Sequence, residues 1–388
     1  MKKKNSNRSS LFVYCFILIL LFPFIGVFPD HFISLGGVTQ DTSVESPTME
    51  SVLEGTTQSE VNNYIENHFW GRKTLIKLRS QLLYSLFNES PNSNVLIEKD
   101  KYLFEPEYIY RELNIYPVSD EAYYDELMEK LNRIDKLCLE NNKEMYIFIT
   151  PSKAYFCKDK ISSEYHLMEN GGENDYSRFV RYLSNSNLKY FDSHKYIDEH
   201  IDEIDAPVFY STGIHWSQPW GNRCAIEFKK YIEENSKWDL SEATQQIEKC
   251  KKNKPVAPDT DLYDSLNLIV PAMNDTFFKS NLTVTEEKDV PSVFLRGGSF
   301  MGQSLSALEN NGIFNTVAHY ENNYIYLNNG AEARTFSAFD AYDEFDDMGE
   351  YLSKSDILIL EVNEAHVSRM SFGFIDYLLE NPQLLTNK

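Results

Sequence analysis

The sequence predicts an α/β fold: a three-layer α/β/α sandwich built on a mainly parallel sheet and preceded by one N-terminal transmembrane helix. Three observations predict it. Short apolar runs alternate with helix-period segments through most of the chain, which is the order of a parallel sheet covered on both faces. An uncharged stretch follows a basic N-terminus. Of the 388 residues, 42% are hydrophobic, with 25 Phe and 25 Tyr, so a disordered or fibrous chain is excluded.

The elements follow in order. Residues 61–69 and 73–87 carry helical spacing, the second through Leu75, Ile76, Leu78, Leu82, Leu83 and Leu86. Residues 95–104 pair as a hairpin around the charged turn Lys99-Asp100-Lys101. A helix over 120–141 leads to a strand over 144–150 that ends at Pro151. Helix 175–184 precedes strand 188–191, and helix 220–235 precedes strand 293–295. Helix 303–311, strand 357–362 and a closing helix over 366–379 complete the alternation. In such sheets chemistry collects at the carboxyl ends of the strands.

The N-terminus points to a compartment. Lys2, Lys3, Lys4 and Arg8 precede residues 11–28, which hold no charge. That length lies at the low end of a membrane span, and the flanking bases place the N-terminus in the cytoplasm. The run leaves through Val27-Phe28-Pro29-Asp30, without the small residues of a signal-peptidase site. We therefore expect a cytoplasmic tip and uncleaved anchor over 1–29, a polar linker over 30–60 and a folded extracytoplasmic domain over 61–388. Charge narrows the partners. With 37 Lys and Arg against 59 Asp and Glu, the net charge of −22 repels a phosphate backbone and excludes nucleic acid as a partner. Four cysteines outside the apolar run (Cys138, Cys157, Cys224, Cys250) fit two bridges or four free thiols, and no close spacing suggests a metal.

Two segments carry chemistry. In the first, the apolar Val293-Phe294-Leu295 breaks at Gly297-Gly298 and presents Ser299 just before a helix. Glycine permits the sharp turn, and N–H groups of the Gly297-Gly298 loop and the helix start suit an oxyanion. The same residues also fit an ordinary strand-to-helix turn with Ser299 as N-cap. In the second, His215 lies in the tight loop Tyr210-Ser211-Thr212-Gly213-Ile214-His215-Trp216, before a helix. A histidine brought against a serine takes its proton as general base. Taken alone, the segment is better explained by a histidine that packs against Trp216 or caps that helix.

Together these segments resemble the SGNH-hydrolase-like family of alginate O-acetyltransferases and related cell-envelope acetylation proteins. That family carries an Asp-x-His-Trp motif and a later Gly-Asp-Ser-Phe motif. Here Gly213-Ile214-His215-Trp216 and Gly297-Gly298-Ser299-Phe300 stand in those places. Phe69-Trp70-Gly71-Arg72 is similar to its Phe-Pro-Phe-Arg stretch, residues 95–104 to its Gly-Lys-Asp-Gly-Trp-Leu-Phe hairpin, and Pro151-Ser152-Lys153 to its strand-end Pro-x-Lys.

The resemblance implies Ser299 as nucleophile and His215 as base, with no cofactor and no metal. The acceptor it implies is a polysaccharide, and the acetyl donor a multi-spanning membrane-bound O-acyltransferase. Trp216 and Asn363 are expected to touch substrate. The family's triad aspartate falls at Gly213 and its motif aspartate at Gly298, neither of which has a side chain. Another group must hold His215, and Asp192 and Glu361, both at expected strand ends, are the carboxylates named for it. A Gly213→Asp change is accordingly expected to leave activity unchanged or raise it. A carbohydrate acetyl esterase with the same residues, and a non-catalytic polysaccharide-binding relative, remain as alternatives. The acidic run Asp340, Asp343, Glu344, Asp346, Asp347 lacks calcium-loop spacing and reads as a solvated face.

Overall fold

In the computed structural model, residues 11–18, 34–36, 47–68, 71–251, 255, 257–270, 273–286 and 288–386 are described. The basic tip, residues 19–28 of the expected membrane segment and Phe69-Trp70 lie outside them. Residues 11–18 are helical, and among the described residues no helix is long and apolar enough to cross a membrane. The expected transmembrane helix is therefore not found in the described part of the chain.

The chain divides into two compact units. One comprises residues 1–93 and 262–272. It contains the helices Met49–Leu53, Thr56–His68 and Arg72–Leu82, so helix begins inside the segment that composition assigns to a linker.

The other comprises residues 94–261 and 273–388 and contains the sheet. It opens with the hairpin β1 (Leu96–Ile97) and β2 (Leu103–Phe104), whose turn holds Asp100 and Lys101 at positive φ. Helix α1 (Glu121–Glu140) is capped by the Asp120 side chain, which accepts the Tyr123 N–H. Then follow β3 (Glu144–Thr150), α2 (Asp175–Ser184), β4 (Tyr190–Asp192) and α3 (Gln218–Glu234). A second hairpin, β5 (Ala243–Lys249) and β6 (Phe278–Val284), precedes β7 (Ser292–Gly297), β8 (Asn315–Glu321), β9 (Tyr324–Leu327) and β10 (Glu332–Thr335). The last strand is β11 (Ile357–Asn363), and the last α-helix is α4 (Phe374–Glu380).

The main sheet has the order β10-β9-β8-β7-β11-β3-β4. From β8 to β4 all neighbours are parallel, while β9 and β10 add on antiparallel. The sheet is thus mixed, which corrects the expectation of a mainly parallel one. The reason is local: Asn322 takes positive φ between β8 and β9, and Asn328-Asn329-Gly330 does so between β9 and β10. These residues accept left-handed backbone and close tight hairpins, so no crossover helix is needed.

The two faces of the sheet follow from strand alternation. Ile147 and Ile149 of β3, with Leu358 and Leu360 of β11, pack in one core with Leu131 of α1, Phe179 of α2 and Phe374 of α4. The opposite face presents Phe148, whose ring lies 4.9 Å from Phe228 of α3. Glu361 and Asn363, in step with the second face of β11, end the strand beside Thr150. The expected closing helix over 366–379 is broken. Ser371 and Phe372 stand at positive φ, their carbonyls held by the Tyr342 hydroxyl, and regular helix resumes only at Phe374. All cysteines of the unit are free; Cys138, Cys157 and Cys224 are buried.

Candidate active site

Ser299 stands one residue, Gly298, beyond the end of β7 and opens a 3-10 turn, Ser299–Gln303. Glycine is required at 297 by close approach: a Cβ there would lie 2.5 Å from both Cβ and Oε2 of Glu361. The strand therefore runs against β11 and releases the serine at the carboxyl edge of the sheet.

The His215 loop is tied down on several sides. Phe209 and Trp216 bridge its base, and the Ser217 N–H donates to the Val208 carbonyl at 2.7 Å. Lys153, fully buried, donates from Nζ to the carbonyls of Leu103, Ser211 and Gly213 at 2.7, 3.0 and 2.7 Å. Burial pulls its pKa down to about 8. One cation thus joins the β1–β2 hairpin, the end of β3 and the histidine loop. Asp275 accepts both the N–H and the hydroxyl of Ser211.

The result is a hydrogen-bonded chain. His215 Nε2 lies 2.8 Å from Ser299 Oγ, and His215 Nδ1 lies 2.6 Å from Asp261 Oδ2. The second oxygen of Asp261 accepts the Ile214 N–H at 2.9 Å, so the carboxylate is fixed at both ends. That contact selects the Nδ1–H tautomer and leaves Nε2 free to accept the serine proton. Burial raises the carboxyls of Glu105 and Glu321, and His215 opposes the rise at both.

The orienting acid is Asp261, which sequence reasoning missed, and neither named carboxylate takes that place. Asp192 caps the following helix at the Lys195 N–H and accepts the Tyr176 hydroxyl. Glu361 accepts the Gly298 N–H at 2.7 Å and the Thr150 hydroxyl. The Gly298 amide is therefore taken by Glu361, which corrects its expected place in an oxyanion hole. Trp216 is fully buried and donates from Nε1 to the Phe300 carbonyl at 2.9 Å, holding the nucleophile turn against the histidine loop. It acts on position, not on substrate. Asn363 does line the cleft, but its side chain is engaged by the Pro151 carbonyl and the Ala365 N–H.

The cleft beside Ser299 is a cavity of about 130 Å³, lined by Tyr108, Asn322, Glu361, Asn363 and His366 among others. Burial drives the His366 pKa down to about 3, so the ring is neutral, and its Nε2 has no hydrogen-bond partner. Among the described residues no group of His, Cys, Asp and Glu could hold a metal ion. Within the acidic run, Asp347 pairs with Arg334 and Glu344 accepts from Ser337.

The chain matches no family model, and no curated protein sequence matches it. Solved structures do resemble it. The O-acetyltransferase domain of Pseudomonas putida AlgJ is 14% identical, over 74% of this chain and 99% of that one, with a TM-score of 0.44. Bacillus cereus PatB1 is 10% identical over 71% and 97%, at 0.43. Pseudomonas aeruginosa AlgX is 11% identical over 73% and 67%, also at 0.43. At these values the likeness leaves the functional argument with the geometry of Ser299, His215 and Asp261.

That geometry also accounts for Gly213. A Cβ at this position would lie 2.7 Å from the Asp259 carbonyl oxygen and 3.2 Å from Asp261 Oδ1. The Asp261 carboxylate borders the space into which a side chain at 213 would project. Gly213→Asp should therefore lower turnover, by roughly tenfold or more, by displacing Asp261 and setting two carboxylates together. This reverses the expectation from sequence, and steady-state kinetics on the variant decide it.

Glu361 supplies a pH-dependent prediction. Burial pushes its pKa from the ordinary 4.5 up to about 7, against the hydrogen bonds from Thr150 and Gly298. The folded state holds this proton more tightly than the unfolded chain does. The contribution is fully present below the unfolded value and is lost as pH rises through about 7. Glu361→Gln keeps an acceptor oxygen for the Gly298 N–H, places an N–H toward the Thr150 hydroxyl where the carboxylate accepted from it, and cannot ionise. Its stability relative to wild type should rise from about pH 5 to about pH 9 by up to roughly 3 kcal/mol. Denaturant curves of the two proteins that stay parallel across that range would remove the buried proton.

Proposed function

We propose that this chain is a membrane-anchored, extracytoplasmic O-acetyltransferase of an envelope or secreted polysaccharide. The observation that carries the chemistry is the Ser299–His215–Asp261 chain, with its serine at an open cleft. Ser299 Oγ attacks the acetyl carbonyl of a donor ester while His215 Nε2 takes the hydroxyl proton. The tetrahedral adduct then expels the donor oxygen, which receives that proton, and leaves an acetyl ester on Ser299. A sugar hydroxyl, deprotonated by His215, attacks this ester. The acetyl group moves to the sugar, and the proton returns to Ser299 Oγ. Asp261 does not take a proton; it holds the ring and offsets the imidazolium charge.

The polymer, the membrane-bound donor and the anchor in residues 11–28 belong to the same proposal, supported by the basic tip and the uncharged run. Protease added to intact cells should then remove the large domain.

The test is to incubate the purified chain with an activated acetyl ester and a panel of oligosaccharides. The reading expects an acetyl group on the Ser299 peptide and its passage to sugar faster than to water. Acetyl-Ser299 that passes only to water would make the chain an esterase. No acetyl-Ser299 under any condition would refute acyl transfer.

A further inference from the structure

A second concavity, distinct from the Ser299 cleft, has a lining of unusual chemistry. It encloses about 290 Å³ between α3, strand β6 and the Leu305–Asn310 helix. Its polar lining is amide and hydroxyl throughout, including Gln218, Asn222, Asn281, Gln303, Ser306 and Asn310, and among the described residues none that lines it is charged. In a chain that is 25% charged, an uncharged and strongly polar hollow needs a reason.

Two of its amides are held in place. Gln218 accepts the Ser280 N–H at 3.0 Å, and Asn222 donates to the Ser280 hydroxyl at 2.9 Å, which also receives Gln245 at 3.0 Å. Gln303 is different: its Oε1 is enclosed and has no hydrogen-bond partner. An enclosed acceptor left unpaired costs stability, about 1–3 kcal/mol, unless a ligand or water supplies a donor. Gln303 also closes the turn that Ser299 opens. At the ~2 Å rise of a 3-10 turn the two residues stand roughly 8 Å apart along it.

We infer that this hollow is a subsite for a neutral sugar residue of the acceptor chain. The inference rests on the acyl-transfer reading only for the word acceptor. A sugar hydroxyl both donates and accepts, so it pairs with the amides and hydroxyls that line the hollow. A carboxylated sugar would bring a negative charge to a hollow whose described lining holds no cation, on a chain of net charge −22. Amides fixed before binding lose little conformational freedom when the sugar arrives.

The experiment measures binding, not turnover, on the full-length Ser299→Ala chain, so that it stands apart from catalysis. The probes are neutral hexasaccharides (β-1,4-glucan, α-1,4-glucan and β-1,4-linked N-acetylglucosamine) and a hexameric polyuronate, titrated by calorimetry. At least one neutral probe should bind, and the polyuronate should not. Ser306→Leu, which fills the hollow, and Asn310→Ala, at an exposed position, should each weaken binding tenfold or more with an unchanged melting temperature. Preference for the polyuronate, no binding of any neutral probe, or equal binding by both variants would overturn the inference. Sugar binding without acetyl-Ser299 in the wild type would keep the subsite and refute acyl transfer; acetyl-Ser299 without sugar binding would do the opposite.

Discussion

Ser299→Ala should reduce acetyl-ester turnover by roughly 10⁶-fold, the loss expected when the nucleophile of such a triad is removed. The serine hydroxyl is the one group in the chain of contacts that can carry the acetyl ester, and His215 Nε2 at 2.8 Å has no other substrate-side partner to activate. His215→Ala should cost a similar amount, and the double variant little more, because the two residues act as one unit. Ser299 is half-buried at the cleft, so the alanine variant should fold and melt as wild type does. Turnover of an activated acetyl ester measures the effect. Retention of more than a hundredth of wild-type activity in Ser299→Ala would mean that another nucleophile does the work.

Asp261→Asn should lower kcat by roughly 10⁴-fold while leaving KM near its wild-type value. The asparagine keeps the shape, so the fold is preserved, but its amide can present N–H toward His215 Nδ1. The ring then carries its proton on Nε2, where it faces Ser299 as a donor and cannot act as base. Loss of the negative charge also removes the partner of the imidazolium. The size of the effect separates this role from a structural one: a residue that merely supported the loop would shift the melting temperature and spare kcat. An Asp261→Asn protein within tenfold of wild type would show that Glu105 or Glu321 supplies the field that His215 needs.

These two expectations divide between what could be read along the chain and what could not. The strand at 144–150 and the helix at 175–184 were legible because burial on one side or two imposes a period on the residues themselves. Ser299 and His215 were legible for a different reason. A nucleophile needs a glycine-broken strand end, and a base needs a fixed loop, so both leave short local patterns.

Asp261 leaves none. It lies 46 positions from His215, after Pro258-Asp259-Thr260, with no spacing that relates it to the histidine. Its role depends only on where the chain brings it. Asp192 and Glu361 looked better because strand ends gather at one edge of a parallel sheet. Yet one is spent on a helix cap and the other on the Gly298 amide. The strands β8 to β10 were missed because their turns are made by asparagines at positive φ, which composition alone reads as loop.

The sequence by itself determined the alternation of helix and strand, the serine, the histidine and the acidic character of the chain. Only the tertiary structure decided which carboxylate holds the histidine, why residue 213 has no side chain, and that Lys153 binds three segments into one site. The physical reason is the range of the forces involved. Hydrophobic periodicity is written into neighbours three or four residues apart, whereas a hydrogen bond of 2.6 Å between residues 215 and 261 exists only once the fold has closed.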